Sequence, residues 1–179
     1  MDTQNLKCHL SECRCFTRPV KRFTQIDTLV REAALFAVRG SNIRCQLEFP
    51  DDLWPVHVDS GQIGQVIHNL VINADQIMPE GGSIAISGKN TEVESHSHLK
   101  LPPGQYIRIM IQGQGTGIKN EHLDRIFDPY FTTKQKGSGL GLTVVYSIIE
   151  KHDGHVTVYS ELGVGTKFKY IYPHPLVAK

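Results

Sequence analysis

The sequence predicts an α/β (α+β) two-layer sandwich, a mixed sheet with helices on one face. Two stretches, 59–78 and 139–151, repeat apolar residues at intervals of three and four, the mark of an amphipathic helix. Most other apolar residues fall in short alternating runs broken by Gly, Pro and Asp, which read as strands. The resulting order is α, β, α, β, β, loop, α, β, β, without an internal repeat or a low-complexity tract.

Residues 1–24 show no clean period and read as a leader or linker, 25–174 as one domain and 175–179 as a tail. Asp27 is expected to cap a first helix carrying Leu29, Val30, Ala33, Ala34 and Ala37 on one stripe, with Gly40 as its stop. Ile43 to Phe49 alternates as a strand, Pro50-Asp51-Asp52 turns the chain, and Val56-His57-Val58 is a second short strand. Asp59 opens the clearest helix, with Ile63, Val66, Ile67, Leu70, Val71, Ala74, Ile77 and Met78 on its apolar side, and Pro79-Glu80-Gly81-Gly82 ends it. Ser83 to Ser87 and Tyr106 to Ile111 read as strands, and the polar Thr91 to Gly104 between them as an exposed hairpin loop. Irregular, glycine-rich chain runs from Gly113 to Ser138. The helix after it buries Val144, Val145, Ile148 and Ile149, and a hairpin of His155 to Ser160 and Thr166 to Tyr172 closes the domain.

Composition narrows the function. Lys and Arg number 19 against 18 Asp and Glu, without the basic excess that a nucleic-acid groove or a membrane surface needs. No apolar run approaches the ~18 residues of a spanning helix, so the expectation is a cytoplasmic domain. Of the 4 cysteines, Cys8, Cys13 and Cys15 crowd the first fifteen residues and Cys45 stands alone in a strand-like run, unlike a disulfide framework. Cys-x4-Cys-x-Cys is not a zinc spacing, even with His9 beside it, and the segment reads as leader.

The 16 glycines concentrate in two loops. Gly113-Gln114-Gly115-Thr116-Gly117 follows a strand, and Gly137-Ser138-Gly139-Leu140-Gly141 precedes a helix. A dinucleotide fingerprint needs a third glycine where Ile118 and Leu142 stand. Gly82 to Lys89 misses a Walker loop, with one residue too many between its glycines and Asn90 in place of the hydroxyl. The second loop still has the chemistry of an anion site: Gly139 to Leu142 lies at a helix start, where free N–H groups and the dipole favour phosphate, with Lys134 and Lys136 just upstream. The plainer alternative is a loop whose glycines only permit tight turns. On the long helix, Gln62, Asn69, Asn73 and Gln76 line the edge of the apolar face. Mid-helix asparagine is unfavourable, and an amide oxygen suits a magnesium ion shared with phosphates. Solvated or internally satisfied amides are the alternative.

Together these segments resemble a known family. Asn69-Leu70-Val71-Ile72-Asn73-Ala74 looks like the N box of sensor histidine kinases, and Gly115-Thr116-Gly117-Ile118 the end of their first glycine box. Phe127-Asp128-Pro129-Tyr130-Phe131-Thr132-Thr133-Lys134 is similar to the phenylalanine box. Gly137 to Leu142 resembles the second glycine box, and Gly163-Val164-Gly165-Thr166-Lys167-Phe168 the third. The resemblance covers roughly 25–173 and is greatest to nitrogen-regulation-type kinases. It implies the Bergerat (GHKL) ATP-binding fold, with ATP and Mg2+ as cofactors. Asn73 would ligate the magnesium, and Asn69 would support the phosphate side of the same helix. Gly117 and Ile118 would line the adenine pocket, with Thr166 near the base. Gly137, Gly139, Leu140, Gly141 and Leu142 would form the phosphate loop, and Lys134 would sit on a mobile lid of about 119–136.

Two departures qualify it. The first glycine box normally opens with an aspartate that accepts a hydrogen bond from the adenine amino group, and Gly113 stands there. Loss of one charge-assisted bond lowers affinity roughly ten- to two-hundred-fold. Of the 9 histidines, only His152 precedes an acid, at the end of a helix where a stop is the better reading. The phosphoacceptor is therefore expected on a dimerisation domain elsewhere in a homodimeric parent, with this chain a monomeric catalytic fragment inactive alone and a response-regulator receiver as further partner. A GHKL ATPase is disfavoured, because Asn69 stands where such enzymes carry a glutamate base and an amide takes no proton from water. A nucleotide-free signalling module is the remaining alternative.

Overall fold

The structure, a computed structural model, describes residues 18–94, 101–134 and 137–174. Cys8, His9, Cys13, Cys15, Lys136 and the 175–179 tail, all weighed above, lie outside the described residues, as do residues 95–100 of the expected Thr91 to Gly104 loop. Chain order is β1 (Arg22–Thr24), α1 (Ile26–Ala37), β2 (Ile43–Glu48), β3 (Val56–Val58), α2 (Ser60–Gln76), β4 (Gly82–Val93), β5 (Gly104–Gly113), α3 (Asn120–Leu123), α4 (Gly141–Lys151), β6 (His155–Glu161) and β7 (Gly165–Pro173).

The main sheet runs β2-β4-β5-β7-β6, parallel only between β2 and β4, and β1 pairs with β3 in a separate two-stranded ribbon. Alternation decides which face is covered. Ile84 and Ile86 of β4, Ile107, Ile109 and Ile111 of β5, and Phe168, Tyr170 and Tyr172 of β7 are buried in one cluster with Ile26 and Val30 of α1, Ile63, Val66, Ile67 and Leu70 of α2, and Val145, Ile148 and Ile149 of α4. The fold is thus α+β, a mixed sheet with its helices packed through a single apolar layer.

Four local readings need correction. The helix over 26–37 is capped at Gln25 without a side-chain hydrogen bond, and Asp27 lies inside its first turn, because Ile26 is fully buried and must already be helical. Arg22–Thr24, read as linker, form β1; the pairing partner is more than thirty residues away, out of reach of any local pattern. Thr91–Val93, read as loop, continue β4 opposite Gly104–Tyr106, and Val93 packs with Tyr106 and Ile171 in a small second cluster. The last helix begins at Gly141 with Leu140 as its cap, two residues later than the pattern suggests. Asp59 does cap α2, its Oδ1 accepting the Gln62 N–H at 3.1 Å.

Candidate functional site

α2 projects its amide edge toward the start of α4. The Asn69 Nδ2 donates to the Gly141 carbonyl at 3.4 Å. A Cβ placed on Gly141 would lie 3.7 Å from the Asn73 Nδ2, so both amides border the first turn of α4. Helix geometry leaves the N–H groups of Gly141, Leu142 and Thr143 without intrahelical acceptors.

The segment between β5 and α4 closes over this edge. Lys134 is half-buried, and its Nζ donates to the Asn73 Oδ1 at 3.0 Å and to the Gln76 Oε1 at 2.7 Å. Burial pushes its ammonium below the usual lysine range. Its backbone N–H bonds to the Thr132 Oγ1 at 3.1 Å, and Gly137 lies against that same hydroxyl, where a Cβ would come within 2.6 Å. Two ties fix the segment to α4: the Thr143 hydroxyl donates to the Phe127 carbonyl at 3.1 Å, and the Phe127 and Tyr146 rings lie 5.3 Å apart. Gly139, at φ +68°, accepts the Tyr130 N–H on its carbonyl at 3.1 Å, and a Cβ there would lie 2.4 Å from the Tyr130 carbonyl carbon. Only glycine fits that crossing.

The first glycine loop abuts the far end of the same amide edge. Gly113 and Gly115 face Ala74 of α2 and Ile77, its C-cap, with space for little else: added Cβ atoms would stand 3.3 Å from the Ala74 Cβ and 2.5 Å from the Ile77 Cδ1. Gly113 is buried and pairs in register with Thr166 of β7. Gly117, at φ +73°, lies so close to the Glu161 carbonyl that a Cβ would reach 2.2 Å.

Ser160 joins these pieces, a role that no sequence pattern marks. Its Oγ accepts the Ile118 N–H at 2.7 Å, lies 2.8 Å from the Thr166 Oγ1, and donates to the Gly165 carbonyl at 3.0 Å. A hydroxyl has one proton and two lone pairs, so with its own proton on Gly165 the Thr166 hydroxyl donates to Ser160. Thr166 then keeps an acceptor lone pair beside Gly113. A hydroxyl acting between residues forty positions apart leaves no periodic trace in a sequence.

Asn69, Asn73 and Lys134 thus meet at the start of α4, Gly113 and Gly115 stand against the last turn of α2, and Gly117, Ile118 and Thr166 join them through β6 and β7. Among the described residues no three His, Cys, Asp or Glu side chains form a cation cage. Any divalent ion here would rest on amide oxygen and on the oxygens of a bound ligand. No helix among the described residues is long and apolar enough to cross a membrane.

Residues 58–176 match the family described as histidine kinase-, DNA gyrase B- and HSP90-like ATPase. The chain is 35% identical over 195 residues to sensor kinase CckA of Brucella abortus (strain 2308), an alignment covering 99% of this chain and 21% of that protein. It is 36% identical over 148 residues to sporulation kinase E of Bacillus subtilis (strain 168), covering 83% of this chain and 18% of that protein. The chain thus spans about a fifth of the length of these curated relatives. The nucleotide-free catalytic domain of histidine kinase ThkA superposes with a TM-score of 0.70 at 28% identity, covering 86% of this chain and 95% of that domain. These relatives do not single out the nitrogen-regulation subtype expected from the motifs. The chain belongs to the histidine kinase-, DNA gyrase B- and HSP90-like ATPase family, as an ATP-binding catalytic domain of the histidine kinase branch.

Proposed function

We propose that this chain, with 25–174 as its working domain, holds Mg-ATP and presents the γ-phosphoryl group to a histidine carried on a dimerisation domain of a parent sensor kinase. The observation that carries the reading is the meeting of Asn69, Asn73 and Lys134 with the first turn of α4. Phosphoryl transfer asks a protein mainly for positioning and charge neutralisation. The free N–H groups of Gly141 and Leu142 are suited to hold phosphate oxygens, and Lys134 can follow the charge when its bonds to Asn73 and Gln76 are released. Asn73 fits magnesium: its Oδ1 is a hard donor that already accepts from a cation. When bound, magnesium would neutralise charge between the phosphates. In the transfer itself the bond from the γ-phosphorus to the β-bridging oxygen breaks, a P–N bond forms on the acceptor imidazole, and ADP departs. A receiver domain of a response regulator would take the phosphoryl group next.

Gly113 weakens the base end of the site, since no carboxylate there accepts from the adenine amino group, and only the Thr166 hydroxyl stands across the strand pair. That same glycine favours one second reading, a signalling module that works without nucleotide. Water-splitting is the weaker option, because Asn69 is not a base.

Calorimetric titration of magnesium with a non-hydrolysable ATP analogue separates the readings. Binding by the chain that tightens in Gly113→Asp supports the kinase reading. No heat from either protein, with the fold intact, would rule it out in favour of the nucleotide-free module. Steady phosphate release from ATP by the isolated chain would favour the ATPase.

A further inference from the structure

α2 and α4 run antiparallel and are joined at both ends of α4. One rung is the Asn69–Gly141 contact at the site. The other is at the opposite end, where the backbone N–H of Asp59, the N-cap of α2, donates to the His152 Nε2 at 3.0 Å, His152 being the C-cap of α4. Asn69 lies about 15 Å along α2 from Asp59, and His152 about 16 Å along α4 from Gly141, at a rise of about 1.5 Å per residue. The two rungs are matched, so a slide at one end is felt at the other.

We propose that His152 is a positioning residue: in its neutral form it sets the axial register of α2 against α4, and so the spacing of Asn69 and Asn73 from the first turn of α4. Its consequence for nucleotide rests on the function proposed above.

The bonds fix the state of the ring. Its Nδ1 lies 2.8 Å from the Ile148 carbonyl, which can only accept, so Nδ1 carries the proton. Nε2 accepts from Asp59 and must be bare. A second proton would remove that acceptor and leave two N–H donors facing one another. The residue is 1% exposed, with the Tyr172 ring edge-on at 6.3 Å. The charged groups facing it are Asp59, Lys21 and Asp153. Burial holds the imidazole below its usual range; Lys21 acts in the same direction, and the Ile148 carbonyl, Asp59 and Asp153 oppose it. The incoming chain is tied to the same joint: the Val20 N–H donates to the Asp59 Oδ2 at 2.9 Å, and the Lys21 Nζ to the Asp153 Oδ2 at 2.7 Å.

The test is nitrogen-resolved NMR of the nucleotide-free chain from about pH 7.5 to 5.5, with His152→Gln, whose amide oxygen accepts without titrating, and His152→Leu, which cannot accept. The expected result is the Nδ1–H tautomer at the upper pH, with the Asn69 side-chain and Gly141 backbone signals moving with the His152 titration. In His152→Gln they stay fixed, and in His152→Leu they are displaced at every pH. Asn69 and Gly141 signals indifferent to the ring, or identical pH profiles for the parent chain and His152→Gln, overturn the proposal. If acid unfolds the chain first or His152→Leu does not fold, the His152→Gln spectrum at the upper pH decides, because it must keep both signals in place. For magnesium and a non-hydrolysable ATP analogue, affinity should fall roughly fivefold or more over the range in the parent chain and not through His152 in the Gln variant. Absence of nucleotide binding at every pH would sink the proposed function alone, since the register is read without ligand.

Discussion

Lys134 and Asn73 hold one another: the lysine Nζ stands 3.0 Å from the Asn73 Oδ1, with the Gln76 Oε1 on its other side at 2.7 Å. Both partners are neutral amide oxygens on α2, so the ammonium occupies the place that the proposed function gives to a metal ion. The segment carrying Lys134 is thereby latched onto the helix. Removing the latch should free it. Lys134→Met is expected to lose about 1 kcal/mol of closure, or roughly fivefold faster amide exchange over 119–134 at constant global stability. Unchanged exchange by mass spectrometry would show that the Thr143–Phe127 and Tyr130–Gly139 ties hold the segment alone.

Gly113→Asp places a carboxylate across the strand pair from the Thr166 hydroxyl. The new Cβ meets the Ala74 Cβ at 3.3 Å and the Met78 Cε at 3.9 Å, tight contacts that side-chain adjustment can relieve. We expect Mg-nucleotide affinity to rise roughly ten- to two-hundred-fold, with a stability loss of about 1 kcal/mol from the tight contact with Ala74. Calorimetry and denaturant melts measure the two effects separately. Equal affinity for the two proteins would mean that the base does not approach residue 113.

Ser160→Ala removes one side-chain oxygen and strands three partners: the Ile118 N–H, the Thr166 hydroxyl and the Gly165 carbonyl. Part-buried groups left unpaired cost about 1–3 kcal/mol. Stability should fall by that amount, and Ser160→Thr should recover most of it. A loss below about 0.5 kcal/mol, within the range of neutral surface changes, would show that water replaces the hydroxyl.

What the sequence revealed and what it hid divide along the distance over which each interaction acts. The α2 cap was legible because Asp59 acts on Gln62, three residues on. The apolar stripes of α2 and α4 were legible because helical period alone writes them. The amide edge showed as asparagines that a plain core helix would avoid. β1, Ser160 and the Asp59–His152 joint were hidden, since each depends on a partner 30 or more positions away. Thr91–Val93 was hidden for another reason: its outward residues are polar, and strand propensity is weak once only one face is buried.

Gly117 and Gly163 share a left-handed backbone, at φ +73° and +76°, yet differ in surroundings. Nothing lies within 4 Å of a Cβ on Gly163, while one on Gly117 would run into the Glu161 backbone. Gly163→Ala should therefore cost only the conformational strain, about 1–2 kcal/mol. Gly117→Ala adds a backbone clash that no rotamer relieves, and should destabilise by at least about 3 kcal/mol. Chemical denaturation of the pair checks the ordering, and equal losses would contradict the close crossing of the glycine loop and the β6–β7 hairpin.

Acid should weaken the fold in two steps, and both have one sign. His152 is held below the ordinary 6.5 by burial, so the unfolded chain takes up that proton first. Burial tends to raise Asp59, but the Val20, Gln62 and Gly61 N–H groups outweigh it and hold the carboxyl below the ordinary 3.8. In each case the unfolded state binds more protons, so stability rises with pH. It is complete above about pH 6.5, declines as His152 begins to differ, and declines again below about pH 4 as Asp59 does. Urea midpoints measured from about pH 7.5 to 3 should show both steps. His152→Gln should flatten the upper one and leave the lower, and Asp59→Asn the reverse; a midpoint that holds constant between about pH 7 and 5 in the parent chain would contradict the buried, neutral imidazole.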